Sequence, residues 1–525
     1  MKALHRPSGP VLLAIVLAAL LRIVLAGRQD LWADELFSLA VATGHSLEQP
    51  ASEAVPELGD FVEPGLAVPP ATFRRYLEPE SPPAGPGRVI RAAILSDTSP
   101  PLYYLLLSGW TRAVGTSDFA LHVFSVFWAL ATMPLIWLLG RRLAGPREAL
   151  LACVLFALAP LSLYYSVEVR MYSMLWFVSA LTAWLTLRLH DRGEPAVLAL
   201  WALASAAGFL THYFYVFVWS ACLLWLILRP GRCRRAWLAG AVLGALILVA
   251  PWYHLVPESL GRWRVTGHWL DGRPPLRKLL TAPLVLGWSF VSGRGVWGGS
   301  KAVEAIGSVL VLALGLAWVR RGRAAVGGRG RDLIWLWAIA SCTGPVVFDL
   351  LRNSSTSLIS RYAVAGMPAG LLLAALAIGT LPPRLGLAAL ALLAATWAPG
   401  LRAVYGGRSR AWEPYRAVAA HVGAWAGPRD LVLVHSIPSG ALGIARYANA
   451  DVPMAVWVGQ LGRRRVPDDV AALVAGRDRV ALIRVHEVGE PAPEETWLRA
   501  HATVLHEEQR QGATIVYFAL PPTRR

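Results

Sequence analysis

From residue 11 to residue 400 of this 525-residue chain, apolar runs of bilayer length recur, separated by short loops except at two larger polar segments, which commits the polypeptide to lipid as a solvent. Runs that can span hydrocarbon are read at 11–26, 118–140, 147–166, 172–190, 195–212, 214–229, 236–253, 304–320, 332–350, 361–380 and 384–400, about eleven in all. Two further apolar stretches, 100–116 and 281–293, are short or interrupted and are assigned to the membrane interface. A hydrophobic fraction of 55%, a charged fraction of 16% and a mean hydropathy of +0.48 exclude an ordinary soluble protein.

A net charge of +17 could suggest a nucleic-acid partner. The arginines instead gather in short clusters between apolar runs, at Arg141-Arg142, Arg232 to Arg235 and Arg320 to Arg331, which is the pattern of cytoplasmic loops. No nucleic-acid partner is therefore expected. The scarcity of lysine (Lys2, Lys278 and Lys301 only) beside abundant Ala, Leu, Gly and Arg points to a GC-rich bacterial genome. Counting 100–116 as a span would put the loop Gly140 to Arg147, with its three arginines, outside; reading it as interfacial returns that loop to the cytoplasm. The loops His190 to Glu194, Arg229 to Arg235, Arg320 to Arg331 and Pro382 to Arg384 then also lie inside with the N-terminus, and an odd span count places the C-terminus outside. The N-terminal run lacks a convincing cleavage site and is read as a retained first span.

Two outer segments are large, Gly27 to Pro100 and His254 to about Ser300. Within the first, the Pro- and Glu-rich portion 48–87 has no hydrophobic period and reads as a surface insertion. After Pro399 the composition becomes that of a soluble domain: strand-like runs at 431–434, 454–458, 480–485 and 514–520 alternate with helix-like segments at 412–426, 439–448, 466–476 and 492–502. The last strands read as a hairpin around Gln511-Gly512. The expected organisation is a polytopic α-helical transmembrane domain over 1–400, with a first outer loop at 27–100, followed by a small extracytoplasmic α/β domain over 401–525. Cys153, Cys222, Cys233 and Cys342 lack metal-ligand spacing, and neither a disulfide nor a cysteine-bound metal is expected.

Polar motifs interrupt the apolar pattern at helix ends. Just beyond the first span, Asp34-Glu35 is an acidic pair among aromatics, able to supply a general base and a neighbour that orients a substrate or holds a cation. The bland alternative is a helix N-terminus whose dipole the two carboxylates complement. Asp97, before Ser99-Pro100-Pro101-Leu102-Tyr103-Tyr104, is read first as a helix cap. Glu168, Arg170 and Tyr172 stand at the outer end of the third span, where charge is costly and needs partners; a mutual salt bridge competes with a guanidinium reserved for phosphate. His212-Tyr213 and Arg361-Tyr362 occupy corresponding outer positions. By the loop-charge topology, all six ionisable groups, Asp34, Asp97, Glu168, Arg170, His212 and Arg361, fall on one face. Carboxylates to activate a hydroxyl and arginines to receive a phosphate suit group transfer from a membrane-bound phosphate ester such as a lipid-linked sugar.

Together these motifs resemble the C-type glycosyltransferase superfamily, in particular the branch of protein O-mannosyltransferases and lipid A aminoarabinose transferases (glycosyltransferase family 39-like). The resemblance covers about 8–400 and lies in the order and spacing of the acidic pair Asp34-Glu35, the segment Pro100 to Tyr104, Glu168-x-Arg170-x-Tyr172, His212-Tyr213 and Arg361-Tyr362. Many relatives carry His directly before the two prolines; Ser99 stands here, which shifts the acidic role at this segment towards Asp97.

The resemblance implies a polyprenyl-phosphate donor of a hexosyl or pentosyl group, a hydroxyl acceptor in the cell envelope, and inversion by single displacement. It assigns catalysis to Asp34, Glu35 and Asp97, and substrate binding to Tyr103, Glu168, Arg170, Tyr172, His212, Tyr213, Arg361 and Tyr362. Carboxylates with phosphate could hold Mg²⁺ or Mn²⁺, whereas the arginines can neutralise phosphate unaided, and the reading favours catalysis without a metal. The expected setting is the plasma membrane of a bacterium, as a multi-pass protein. One rival is a transporter or flippase of lipid-linked sugars, which predicts midplane polar residues and internal symmetry; no repeat or inverted half-to-half similarity occurs. A second, a non-catalytic scaffold, leaves the acidic pair without a role.

Overall fold

The computed structural model describes residues 9–97, 99–229, 231–267, 269–293, 309, 330–407, 413–449, 452–486, 492–510 and 512–522. The chain forms two compact units, one comprising Met1–Arg28, His122–His254 and Leu270–Ser409, the other Gln29–Leu121, Leu255–Trp269 and Arg410–Arg525. The predicted span at 304–320, apart from residue 309, lies outside the described residues.

The first unit is helical. Five described helices are long and apolar enough to cross a membrane: α1 (Gly9–Ala26), a helix entering from Asp118 and ending at Leu143, the stretch Arg235–Gly261, Arg331–Arg352 and Pro383–Tyr405. A sixth is added if the bent pair Pro146–Leu158 and Pro160–Ser166 is one span, and shorter apolar helices occupy Pro195–Phe209, Tyr215–Leu228 and Val364–Gly379. In α1 Leu12, Leu13, Val16, Leu20 and Val24 face outward, while Val11, Ala14, Ala18, Leu25 and Ala26 are buried, the alanines allowing close helix packing.

The run read as one continuous span at 147–166 is bent by 62°. Pro160 has no N–H to offer Phe156 four residues before it, so the helical ladder fails there. Arg22, fully buried in the middle of the first apolar run, fills the gap. Its guanidinium donates to the carbonyls of Phe156 and Ala157, each at 3.1 Å, and to Ser162 Oγ at 2.8 Å. Further on, the predicted span at 361–380 begins with tight turns rather than α-helix, and the α-helix proper is Met367–Gly379. The indole N–H groups of Trp176 and Trp337 donate to the carbonyls of Val364 and Ala365 there, both at 2.9 Å, replacing bonds that irregular backbone at this depth would lose.

The second unit contains α2 (Ala33–Ala42), α3 (Ala71–Arg74), α4 (Pro86–Ser96) and α5 (Leu102–Val114) from the first outer segment. It also contains a five-stranded sheet, β1 (Leu431–His435), β2 (Met454–Trp457), β3 (Arg479–Arg484), β4 (Thr503–Arg510) and β5 (Ala513–Ala519), in the order β2-β1-β3-β5-β4. Strands β2, β1 and β3 are parallel, and β5 and β4 complete the sheet as the antiparallel hairpin foreseen around Gln511-Gly512. Helices Tyr415–Trp425, Pro438–Tyr447, Asp468–Val474 and Pro493–His501 alternate with the strands as the charge pattern predicts. Leu431, Leu433, Trp457, Val480, Leu482, Val516 and Phe518 form the core against Val470, Leu473 and Leu498.

The portion 48–87 is not the surface insertion that its lack of period suggests. Phe61, Phe73, Tyr76 and Leu77 are buried from a loop and from single helical turns too short to show a repeating pattern. Val68 pairs with Met454 on the edge strand β2 through two backbone bonds of 2.9 Å. Glu63 accepts the N–H of Val458 at 2.7 Å, and Arg464 donates to the carbonyl of Pro64 at 2.7 Å.

Candidate functional site

In the second unit the chain turns into α2 through Trp32, whose backbone is extended (φ −108°, ψ 176°). The first N–H groups of a helix have no intrahelical acceptor. Here other side chains provide one: Glu35 Oε2 accepts Trp32 N–H at 3.1 Å, Glu413 Oε2 accepts Ala33 N–H at 2.5 Å, and the Tyr447 hydroxyl accepts Leu31 N–H at 2.9 Å. Glu35 is fully buried and caps its own helix. Asp34, the second residue of α2, is half-buried and within electrostatic reach of the Tyr415 phenol.

Helix α2 packs against α4 and α5. Asp97 closes α4 and opens the turn into α5: its Oδ1 accepts the N–H and hydroxyl of Ser99 at 3.0 and 2.9 Å, and its Oδ2 accepts the Tyr104 hydroxyl at 2.7 Å. Ser99, standing where relatives were expected to carry His, is therefore an anchor for Asp97. Tyr103 is fully buried, edge to face with Tyr104 at 5.9 Å between centroids. The same unit carries an open polar cleft lined by Arg74, Glu78, Asp118, Arg416, Arg446 and Tyr447, among others. Asp118 accepts from Arg416, Arg446 and Tyr447 within it.

In the first unit, three motifs nearly two hundred residues apart in sequence converge. After the short helix Pro160–Ser166 the backbone bends through Glu168 and Arg170, both buried, and re-enters a helix at Tyr172. Tyr165 lies against Tyr172 at 5.0 Å between ring centroids, and Tyr172 against His212 at 6.3 Å. His212 Nδ1 accepts the N–H of Phe214 at 3.1 Å, and Phe214 packs on Tyr362 at 5.2 Å. The Arg361 guanidinium lies 5.6 Å from the Tyr362 ring centroid. The Tyr165 hydroxyl closes the circuit with Ser360 Oγ at 3.0 Å, with Glu168 and Arg361 both within electrostatic range of its phenol. Tyr213 turns to the neighbouring helix and stacks edge to face on Tyr253 at 5.9 Å. Glu168, Tyr172, His212, Arg361 and Tyr362 thus share one aromatic and ionic neighbourhood, with Arg170 buried two residues from Glu168 and Tyr213 turned aside; Asp34, Glu35, Asp97 and Tyr103 belong to the other unit.

Some supporting residues have no signature in the sequence motifs. Asp349, fully buried near the end of helix Arg331–Arg352, accepts Ser354 Oγ, Thr356 N–H and Oγ1, and Ser357 N–H at 2.7 to 2.8 Å, and so shapes the turn that leads to Arg361. Its signal was an acid inside an apolar run. Glu413 and Tyr447 act on α2 from about 380 and 416 residues away, respectively, which no local pattern reveals. Among the described residues no three His, Cys, Asp or Glu side chains group to hold a metal ion.

Residues 98–254 match the family described as dolichyl-phosphate-mannose-protein mannosyltransferase. Over nearly its whole length the chain is similar in structure to ArnT from Cupriavidus metallidurans. For the apo state the identity is 13%, with 91% of this chain and 95% of that chain covered and a TM-score of 0.55. For ArnT bound to undecaprenyl phosphate the values are 14%, 98%, 98% and 0.57. No curated protein sequence matches. The chain has the fold of these membrane glycosyltransferases of the C type and resembles the protein O-mannosyltransferase and ArnT branch.

Proposed function

We propose that this chain is a membrane glycosyltransferase that moves a hexosyl or pentosyl group from a polyprenyl-phosphate donor to a hydroxyl acceptor of the cell envelope, with inversion. The observation that carries the reading is that Tyr172 lies against His212, Phe214 packs on Tyr362, and Glu168 and Arg361 both lie within electrostatic range of the Tyr165 phenol. Guanidinium groups beside aromatic rings at the end of apolar helices suit the planar, bidentate recognition of an anionic phosphate. The undecaprenyl phosphate held by the similar ArnT structure belongs to the same ligand class.

In the proposed reaction Asp34 takes the proton of the acceptor hydroxyl as its oxygen attacks the anomeric carbon. The bond from that carbon to the phosphate oxygen breaks, and the electron pair leaves with the lipid phosphate, whose charge Arg170 and Arg361 receive, assisted by His212. Glu35 has a structural duty in capping the helix through Trp32 N–H, and the base is assigned to the half-buried Asp34. Asp97, fixed by Ser99 and Tyr104, orients the acceptor, and the polar cleft around Asp118, Arg416 and Tyr447 suits a hydroxylated acceptor arriving from water. The chemistry is assigned to the outer face of a bacterial plasma membrane, with the N-terminus cytoplasmic and residues 401–525 extracytoplasmic.

Full-length protein in nanodiscs, incubated with radiolabelled polyprenyl-phosphate mannose or aminoarabinose and envelope fractions, should transfer label to one fraction. Labelled lipid crossing vesicles with no fraction gaining label would overturn the reading in favour of a flippase.

A further inference from the structure

Three side chains of the C-terminal segment hold residues just before the acidic pair Asp34-Glu35. Arg416 Nε donates to Asp30 Oδ1 at 2.5 Å, the Tyr447 hydroxyl accepts Leu31 N–H at 2.9 Å, and Glu413 Oε2 accepts Ala33 N–H at 2.5 Å. Of these partners Glu413 is the one that cannot be explained by a solvated surface, being 5% exposed. Two side chains stand behind it. The Tyr415 hydroxyl lies 3.0 Å from the same carboxylate oxygen, and His486 Nε2 lies 2.7 Å from the Tyr415 hydroxyl and 3.4 Å from Glu413 Oε1.

Donor accounting gives the relay a direction. A carboxylate only accepts, so Tyr415 spends its single proton on Glu413, and His486 must then donate its Nε2–H to the Tyr415 oxygen. Burial, followed by the neighbouring Glu413 charge, holds the Tyr415 phenol well above its ordinary range, so that proton stays in place. His486 reaches this position with φ +51°, two residues beyond the end of β3. A side-chain-bearing residue in the left-handed region costs about 1 kcal/mol and persists where surrounding contacts over-determine it.

A buried carboxylate is a poor means of stabilising a fold, because apolar replacements of buried ionic groups are often neutral or better. Its position suggests another use. The first-turn N–H groups of α2 would otherwise draw in a nearby carboxylate and lower its basicity. With Trp32 N–H bonded to Glu35 and Ala33 N–H bonded to Glu413, those two donors are occupied by carboxylates other than Asp34. We propose that Glu413, backed by Tyr415 and His486, is a positioning residue that clamps the first turn of α2 and so fixes Asp34 as the base of the reaction. The proposal rests on the glycosyltransferase reading for its consequence and on the hydrogen-bond geometry for the clamp itself.

The two can be tested separately on full-length protein in nanodiscs. Hydrogen–deuterium exchange over residues 31–42 should accelerate about tenfold in Glu413→Ala and to a lesser extent in Tyr415→Phe, with strands β1 to β5 as protected as in the wild type, and Glu413→Gln should restore most of the protection. With polyprenyl-phosphate mannose as donor, kcat should fall about tenfold in Tyr415→Phe at unchanged donor KM. Unchanged exchange over 31–42 in both Glu413→Ala and Tyr415→Phe overturns the clamp, and accelerated exchange with unchanged kcat overturns its role in fixing Asp34. If Glu413→Ala loses protection throughout the sheet, Tyr415→Phe, which removes one oxygen, decides by the same two criteria. An inactive wild type with the expected exchange pattern would overturn the proposed reaction while supporting the clamp.

Discussion

Arg22 donates to the one carbonyl, that of Phe156, that Pro160 leaves without its helical N–H. A charge in the first apolar run and a proline in a later one are thus halves of one device that lets a helix bend by 62° without exposing its backbone to lipid.

Replacing Arg22 by Leu leaves the carbonyls of Phe156 and Ala157 and the Ser162 hydroxyl short of a donor. A loss of about 2–4 kcal/mol is expected, seen as a lower unfolding temperature in detergent. Adding Pro160→Ala, which returns one N–H, should recover part of it. An Arg22→Leu protein as stable as the wild type would refute the pairing.

Asp34→Asn should lower sugar transfer by at least about a hundredfold with normal membrane insertion. Glu35→Gln, which weakens a helix cap, should instead reduce stability by about 1 kcal/mol with a smaller effect on transfer. The two variants exchanging these phenotypes in a transfer assay would reverse the assignment within the pair.

Arg170→Lys and Arg361→Lys keep the positive charge and lose the planar fork. Each should lower kcat/KM for the lipid-phosphate donor by about ten- to a hundredfold. Steady-state kinetics with a polyprenyl-phosphate sugar would show this, and wild-type values in both variants would remove the arginines from the phosphate site.

Glu63 is buried beside Val458 N–H, and burial pushes its carboxyl up to about 7. A folded-state value above the ordinary 4.5 means that the fold favours the protonated form. Its stabilising effect is full below about pH 4.5 and is lost as pH rises through about 7, a change of about 3 kcal/mol. Glu63→Gln should flatten this part of the stability profile, measured by chemical unfolding followed between pH 5 and 8. An unchanged slope would show that Glu63 is not its source.

The sheet was legible because each of its elements solves a local problem. Runs such as Val480 to Val485 alternate with charged-faced helices, and strand and helix bounds fall within a few residues of the expected ones. The motifs around Glu168, His212 and Arg361 were legible because charge beside aromatics at the end of an apolar run needs a reason. What stayed hidden depends on partners remote in sequence. Arg22 acquires a role only when Pro160 is brought beside it, and Glu413 only when Ala33 reaches it. The burial of Phe61, Phe73 and Tyr76 follows no period at all, so 48–87 reads from sequence as a surface insertion.

The bridge between Val68 and Met454 carries a lesson for chimeras. Strand β2 would otherwise present a bare edge, the kind that recruits other chains. Residues 413–522 transplanted alone onto a related enzyme would leave behind their own guard rail, whereas a graft that brings 46–77 along transfers the sheet together with the segment that seals it.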